Sequence, residues 1–93
     1  MDFLQLVHEI GKVAKPMHQD TLEHPDWDTP FNELGYDSLD LLLVGLYICD
    51  VYGIPEEVGK TMQVKNCTDL KAFVDQHKTI EPESLEAALA KVV

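Results

Sequence analysis

The stretch of residues 38–52 constrains the fold of this chain more than any other, because its apolar side chains spread around nearly the whole circumference of a helix. Gly35 and Gly53 bound it, and Asp37 or Ser38 can cap its first turn. The acidic residue three positions after Asp37 resembles the second member of a capping box with a shorter side chain. We therefore predict a helix over this stretch, with some of its apolar surface facing solvent or a partner.

The N-terminal segment has a simpler helical pattern, with one apolar stripe from Phe3 to Met17. Asp2 is placed to cap the first turn, and Pro16 would remove a backbone donor, so this helix should end near Lys15. From residue 18 to 30 the periodicity disappears, which predicts a long loop. The loop needs apolar anchors, which the sequence offers at Trp27, Phe31 and Leu34.

Three shorter helices are predicted after the central one. Pro55 suits a first helical position, and the acidic residues after it favour a short helix over about 56–62. Thr68 is expected to cap a fourth helix that reaches His77, and a weaker apolar stripe over 85–92 indicates a fifth. No alternating β pattern of useful length is present. We expect an all-α bundle of three main helices plus one short helix, with a long loop between the first and second helices and a possible extra C-terminal helix.

Length, charge and cysteine content limit the functions available to the chain. Its 93 residues make one domain, too small to surround a deep active-site cleft, so a carrier or binding role is favoured over an enzyme. Seventeen acidic and seven basic side chains give a formal charge of −10, which disfavours nucleic acid as a partner. Two cysteines without a CxxC pair indicate reduced thiols, and no metal site is expected. Without a signal segment or a long apolar run, we expect a cytoplasmic protein with no membrane span.

The most specific motif lies just ahead of the central helix. It comprises Pro30-Phe31, Glu33-Leu34-Gly35 and Asp37-Ser38-Leu39-Asp40. In order and spacing it resembles the phosphopantetheine attachment region of acyl carrier proteins. The likeness continues through Ile54-Pro55-Glu56-Glu57 and Thr68-Asp69-Leu70 and covers residues 2–77. On this resemblance, residues 1–78 form an acyl carrier domain and residues 79–93 a C-terminal extension, which we expect to be a short amphipathic helix.

The resemblance implies a covalent cofactor and a set of partner enzymes. A phosphopantetheinyl transferase would join 4′-phosphopantetheine from coenzyme A to Ser38 Oγ, with Asp37 at the family's metal-proximal acidic position and magnesium bound in the transferase. The thiol of the arm would carry acyl groups as thioesters to acyl-loading, condensing or acyl-transfer enzymes. The implied cofactor-site residues are Ser38, Asp37, Leu39 and Asp40. The expected partner contacts are Leu43, Val58, Met62, Glu56 and Glu57, and the candidate residues for lining an acyl chain are Leu46, Ile54 and Phe73. A monomer is expected.

The central helix departs from the usual carrier pattern. Fatty-acid carriers usually bear several acidic residues there, whereas Asp40 and Asp50 are nearly alone, with Leu43 and Cys49 in places that are often acidic. Either the carrier serves dedicated enzymes through apolar contacts in a specialised fatty-acid or polyketide-type pathway, or the long loop or the C-terminal helix covers this face. Both interpretations stay open at this point.

Other functions fit parts of the same pattern. Taken alone, Ser38 would be an ordinary N-cap serine. A peptidyl carrier loaded with an aminoacyl group is a close alternative, although Asp37 before the serine and Asp40 after Leu39 fit acyl carriers better. An unmodified helical adaptor could bind a partner through the apolar second helix and the C-terminal tail. A serine hydrolase is disfavoured, because the GxSxG motif is absent and no histidine is placed by sequence to act as the base.

Overall fold

The computed structural model describes residues 2–14 and 23–92, and within these residues every regular element is a helix, with no strand. Five α-helices and one 3-10 helix follow one another. They are α1 (Phe3–Ala14), a 3-10 helix at Phe31–Leu34, α2 (Ser38–Tyr52), α3 (Glu56–Gly59), α4 (Cys67–His77) and α5 (Leu85–Leu89). The expected all-α bundle is confirmed, including the extra C-terminal helix.

Helix α1 presents its apolar stripe to the core. Asp2 caps it as predicted, since Asp2 Oδ1 accepts a hydrogen bond from the backbone N–H of Leu4 at 3.0 Å. The predicted end near Lys15 and Pro16 lies outside the described residues, as do residues 18–22 of the predicted loop. The buried side chains of α1 are Phe3, Leu6, Val7 and Ile10.

Helix α2 spans the predicted stretch and lies at the centre of the fold. Asp37 is its N-cap, and Gly53 ends it with a φ of 63°, in the left-handed region that glycine tolerates. One side of α2 is buried in the core through Val44 and Ile48 among others. The helix packs against α1, α3 and α4. The opposite side is apolar as well, and this helix therefore shows no single hydrophobic stripe.

Two predictions about helix starts are wrong. Asn66, and not Thr68, is the N-cap of α4, because Asn66 Oδ1 accepts a hydrogen bond from the N–H of Asp69 at 3.0 Å. The Thr68 hydroxyl instead donates to the backbone oxygen of Trp27 at 2.8 Å. Pro55 is the N-cap of α3 and not its first helical residue, and α3 ends three residues before the predicted residue 62, continuing only as turns.

The apolar anchors of the long loop behave in two ways. Phe31 and Leu34 are buried, as predicted, and the N–H of Phe31 donates to the backbone oxygen of Lys65 at 2.8 Å. Trp27 stays 40% exposed and stacks on the ring of Phe3, with centroids 5.9 Å apart and planes 7° from parallel. This part of the loop is therefore held by a surface stack and by its hydrogen bonds to α4.

The C-terminal extension packs on the helical body. The N–H groups of Thr79 and Ile80 both donate to the backbone oxygen of Tyr52 at the end of α2. Ser84 caps α5, which lies against α1 and buries Ala88 completely. The described residues include no helix that is long and apolar enough to cross a membrane.

Candidate functional site

Ser38 is the first residue of α2 and is exposed. Asp37 takes the capping role: Asp37 Oδ1 accepts from the N–H of Asp40 at 2.9 Å, and Asp40 Oδ2 accepts from the N–H of Asp37 at 3.0 Å. The interpretation of Ser38 as the N-cap is therefore wrong. Among residues 2–14 and 23–92, no hydrogen-bond partner holds the Ser38 hydroxyl. That oxygen is available to another molecule.

The two carboxylates that flank Ser38 have different surroundings. Asp37 is exposed, whereas the Asp40 side chain is only 7% exposed and lies under the start of the helix. Through the reciprocal capping bonds, Asp40 fixes the backbone of the residue before Ser38. Asp37 thus faces the solvent beside the hydroxyl, while Asp40 holds the first turn in place.

Tyr36 packs the segment before Ser38 against α1. Gly35 adopts a φ of 99°, which turns the chain out of the 3-10 helix. The buried ring of Tyr36 then packs edge-on against Phe31 at 5.7 Å, and its hydroxyl lies against Gly11 of α1. Burial is the main reason why the pKa of Tyr36 rises to about 12. Among the described residues the hydroxyl has no hydrogen-bond partner, so the contact with Gly11 is held by packing.

An apolar groove opens at Ser38 and runs between α2 and residues 59–64. It encloses about 300 Å³. Gly45 leaves room on its floor, where the Met62 sulfur lies 3.4 Å from the position that a Cβ would take. We call it the α2–α3 groove. Apart from Ser38, its main lining residues are Leu41, Leu42, Gly45, Leu46, Met62 and Val64.

The structure brings together only some of the predicted site residues. Leu46 and Met62 line the α2–α3 groove together with Ser38. The other candidates for acyl contact, Ile54 and Phe73, do not line it. Ile54 is buried beside a separate cavity of about 230 Å³ that also touches Leu46. Phe73 is half-buried on α4, with its ring 4.6 Å from that of His77.

Of the predicted partner contacts, Met62 lines the groove. Glu56 and Glu57 are exposed at the start of α3, and Leu43 and Val58 are half-buried. Leu39 is 64% exposed, so it presents its side chain to solvent one residue after Ser38. Neighbouring Leu42, which the prediction did not include, is 55% exposed. We call Leu39 and Leu42 the α2 leucine pair.

Sequence reasoning missed most of the groove. Leu41, Leu42 and Gly45 lie three, four and seven positions after Ser38, which is the spacing of one helix face. That signal was available in the sequence. The opposite wall, formed by Met62 and Val64, carries no comparable signal, because it follows the short α3 in irregular backbone.

The two cysteines do not add a reactive centre to the site. Both are buried, and burial is the main cause that raises the pKa of Cys49 above its ordinary range and that of Cys67 to about 11. Cys49 Sγ packs so closely on Gly59 that a Cβ there would lie 2.8 Å away. Cys49 therefore serves the contact between α2 and α3.

The described part of the chain holds no group of three or more His, Cys, Asp or Glu side chains that could bind a metal ion. Comparison with known proteins gives no further assignment: no family model matches the chain, and no match was found among curated proteins or solved structures. The residues at the start of α2 are therefore the main indication of function.

Proposed function

We propose that the protein is an acyl carrier protein, in which Ser38 Oγ receives 4′-phosphopantetheine and the arm carries acyl groups as thioesters. The observation that carries this proposal is the exposed Ser38 hydroxyl, free of a capping role, at the mouth of an apolar groove. The protein is then not an enzyme itself, because the reactive group belongs to the arm and the chemistry to the partners.

The start of α2 suits a phosphodiester. The N–H groups of the first helical turn and the helix dipole both favour a negative group at this end. The reciprocal bonds between Asp37 and Asp40 and the packing of Tyr36 hold the backbone around Ser38. A flexible arm attached here swings from a fixed point. Asp37, exposed beside the hydroxyl, is the residue that would lie nearest the transferase's magnesium.

The α2–α3 groove suits an apolar cargo. An acyl chain that turned back from Ser38 would lie between Leu42 and Gly45 on one wall of the groove and Met62 on the other. Each methylene buried there contributes about 0.8 kcal/mol. Sequestering the cargo also shields its thioester from water until a partner enzyme takes it.

The α2 leucine pair and the acidic start of α3 are the surfaces we propose for partner enzymes. Burying the pair against a partner removes two large apolar side chains from water, which stabilises a complex by about 1.5–3 kcal/mol for each side chain fully buried. Their exposure favours dedicated enzymes of a specialised fatty-acid or polyketide-type pathway over the interpretation that the chain covers this face itself. Partners would be a phosphopantetheinyl transferase and acyl-loading, condensing or acyl-transfer enzymes. We expect a cytoplasmic monomer.

Intact mass spectrometry tests the proposal directly. The chain is incubated with coenzyme A, magnesium and a phosphopantetheinyl transferase of broad specificity. We expect one phosphopantetheine increment on the wild type and none on Ser38→Ala. The chain has one other serine, Ser84, which is the N-cap of α5. Ser84→Ala is the matched control and should gain the same increment as the wild type.

Two results would contradict the proposal. A wild-type chain that is folded by circular dichroism yet gains no mass, while the same transferase modifies another carrier, would favour the unmodified adaptor. An increment that persists in Ser38→Ala would place the attachment elsewhere. Once the arm is attached, loading assays with acyl-loading and adenylating enzymes separate an acyl carrier from a peptidyl carrier.

A further inference from the structure

In the described part of the chain, Gly45 is the one glycine that neither its backbone angle nor a close neighbour explains. It lies in the interior of α2, and its φ is not positive. A Cβ added there would lie 3.4 Å from Met62 Sδ and 3.8 Å from Met62 Cε, which is ordinary van der Waals contact. Each of the other glycines has a positive φ or a side chain too close for a Cβ: Gly11, Gly35, Gly53 and Gly59.

Glycine at position 45 is unfavourable for α2, because glycine loses more backbone freedom than alanine when it enters a helix interior. An alanine there would fit and would stabilise the helix. Nor does Gly45 let a second helix approach closely, since no backbone atom of another described element lies within 4 Å of the Cβ position. The packing of the described residues therefore gives no reason for glycine, and the reason must lie in the groove that Gly45 lines.

The group opposite Gly45 in the α2–α3 groove is the side chain of Met62. Methionine is unbranched and has three rotatable bonds, so it adapts its shape to irregular spaces. A guest that displaces the Met62 side chain gains the space above Gly45. A side chain at position 45 would fill that space permanently. The groove is therefore able to widen at Gly45.

The side chains around this widening select for an apolar guest. Leu42 and Leu46 line the groove beside Gly45, and Met62 faces it. None of the three donates a hydrogen bond, and the Met62 sulfur accepts only weakly. A malonyl carboxylate or an aminoacyl amine held here would lose its bound water without replacement, whereas an aliphatic chain would lose nothing.

We propose that Gly45 is a specificity-determining residue, whose missing side chain keeps the α2–α3 groove wide enough for an aliphatic acyl group although it destabilises α2. The acyl group displaces Met62 and lies above Gly45. This inference rests on the proposed function and narrows the cargo to aliphatic acyl groups. A larger side chain at position 45 gives a carrier that is more stable but no longer shelters its cargo.

Thermal melts of the chain with different arms test the proposal. A phosphopantetheinyl transferase of broad specificity is supplied with octanoyl-coenzyme A. The Ser38 hydroxyl attacks the phosphate next to the pantetheine, adenosine bisphosphate leaves, and the hydroxyl proton passes to solvent. The octanoyl form is compared with the unacylated and malonyl forms of the same chain. In the wild type, the octanoyl group should raise Tm by at least about 4 °C, and the malonyl group should leave Tm unchanged.

Substitutions at position 45 separate helix stability from cargo binding. Gly45→Ala should raise the Tm of the unacylated form by about 4–8 °C and reduce the octanoyl shift. Gly45→Leu should remove the octanoyl shift, and adding Met62→Ala should restore part of it by reopening the opposite wall. Ala72→Leu is the matched control, because it adds the same side chain at an exposed position of α4 outside the groove. It should keep the full octanoyl shift.

Intact mass spectrometry before each melt distinguishes two kinds of failure. A wild-type chain that gains no arm overturns the proposed function and this inference with it. If the arm is attached, the inference alone is overturned by an octanoyl group that leaves the wild-type Tm unchanged, or by an octanoyl shift that persists in Gly45→Leu. An unacylated Gly45→Ala that melts below the wild type also overturns it, because glycine would then have a structural role. Gly45→Ala, which fits without a collision, keeps the test decisive if Gly45→Leu does not fold.

Discussion

The contact between Tyr36 and Gly11 is the sharpest test of how the chain ahead of Ser38 is held. Gly11 lies in the last turn of α1, and a Cβ added there would collide with the Tyr36 hydroxyl and come within 3.0 Å of Cζ. The hydroxyl is buried and has no hydrogen-bond partner within residues 2–14 and 23–92. We therefore consider Gly11→Ala, Tyr36→Phe and the double variant as one thermodynamic cycle.

The expected magnitudes follow from these contacts. A buried hydroxyl without a partner costs about 1–3 kcal/mol, so Tyr36→Phe should raise the free energy of unfolding by about 1 kcal/mol after a small loss of packing. Gly11→Ala gains about 1 kcal/mol of helix propensity but overpacks the site by about 1–3 kcal/mol. In the double variant the most severe collision is absent. The coupling between the two positions should then reach about 1 kcal/mol.

Urea denaturation followed by circular dichroism measures all four free energies of unfolding. For a domain of this size, 1 kcal/mol corresponds to about 4–8 °C in Tm, so thermal melts provide a second readout. Additive effects of the two substitutions would refute the proposed contact. So would a clear destabilisation by Tyr36→Phe, because it would mean that the hydroxyl makes a favourable interaction.

Three further predictions concern other parts of the fold. Truncation after Lys78 should lower Tm in thermal melts, because it removes α5 and the completely buried Ala88; an unchanged Tm would contradict the docked extension. Gly53→Ala should cost about 1–2 kcal/mol in urea denaturation, since it places a Cβ at positive φ and against the Thr79 hydroxyl, and no loss would argue against this cap. The folded chain retains the Cys67 proton up to about pH 11, against 9.0 ordinarily, so the free energy of unfolding should fall as pH rises through this interval. Cys67→Ala should flatten that pH dependence, and an unchanged slope would assign it to other groups.

The central helix could be predicted in detail because its signals are local. The capping bonds between Asp37 and Asp40 join residues three apart, and Gly53 ends the helix through its own backbone angle. Such interactions depend little on the rest of the chain. The start of α4 could not be predicted as reliably, because Asn66 and Thr68 are both good caps. Which of the two caps α4 depends on Trp27, 41 residues away in sequence, whose backbone oxygen accepts a hydrogen bond from the Thr68 hydroxyl.

The sequence by itself determined that α2 is a helix that begins near Ser38, and that the chain is an all-α bundle. It did not determine which apolar residues of α2 are buried, because a helix that is apolar on all sides has no periodicity to distinguish its faces. Tertiary packing decided this: Val44 and Ile48 are buried in the core, while Leu39 and Leu42 stay exposed. The second wall of the groove likewise exists only because the chain returns after α3 and lays Met62 over Gly45.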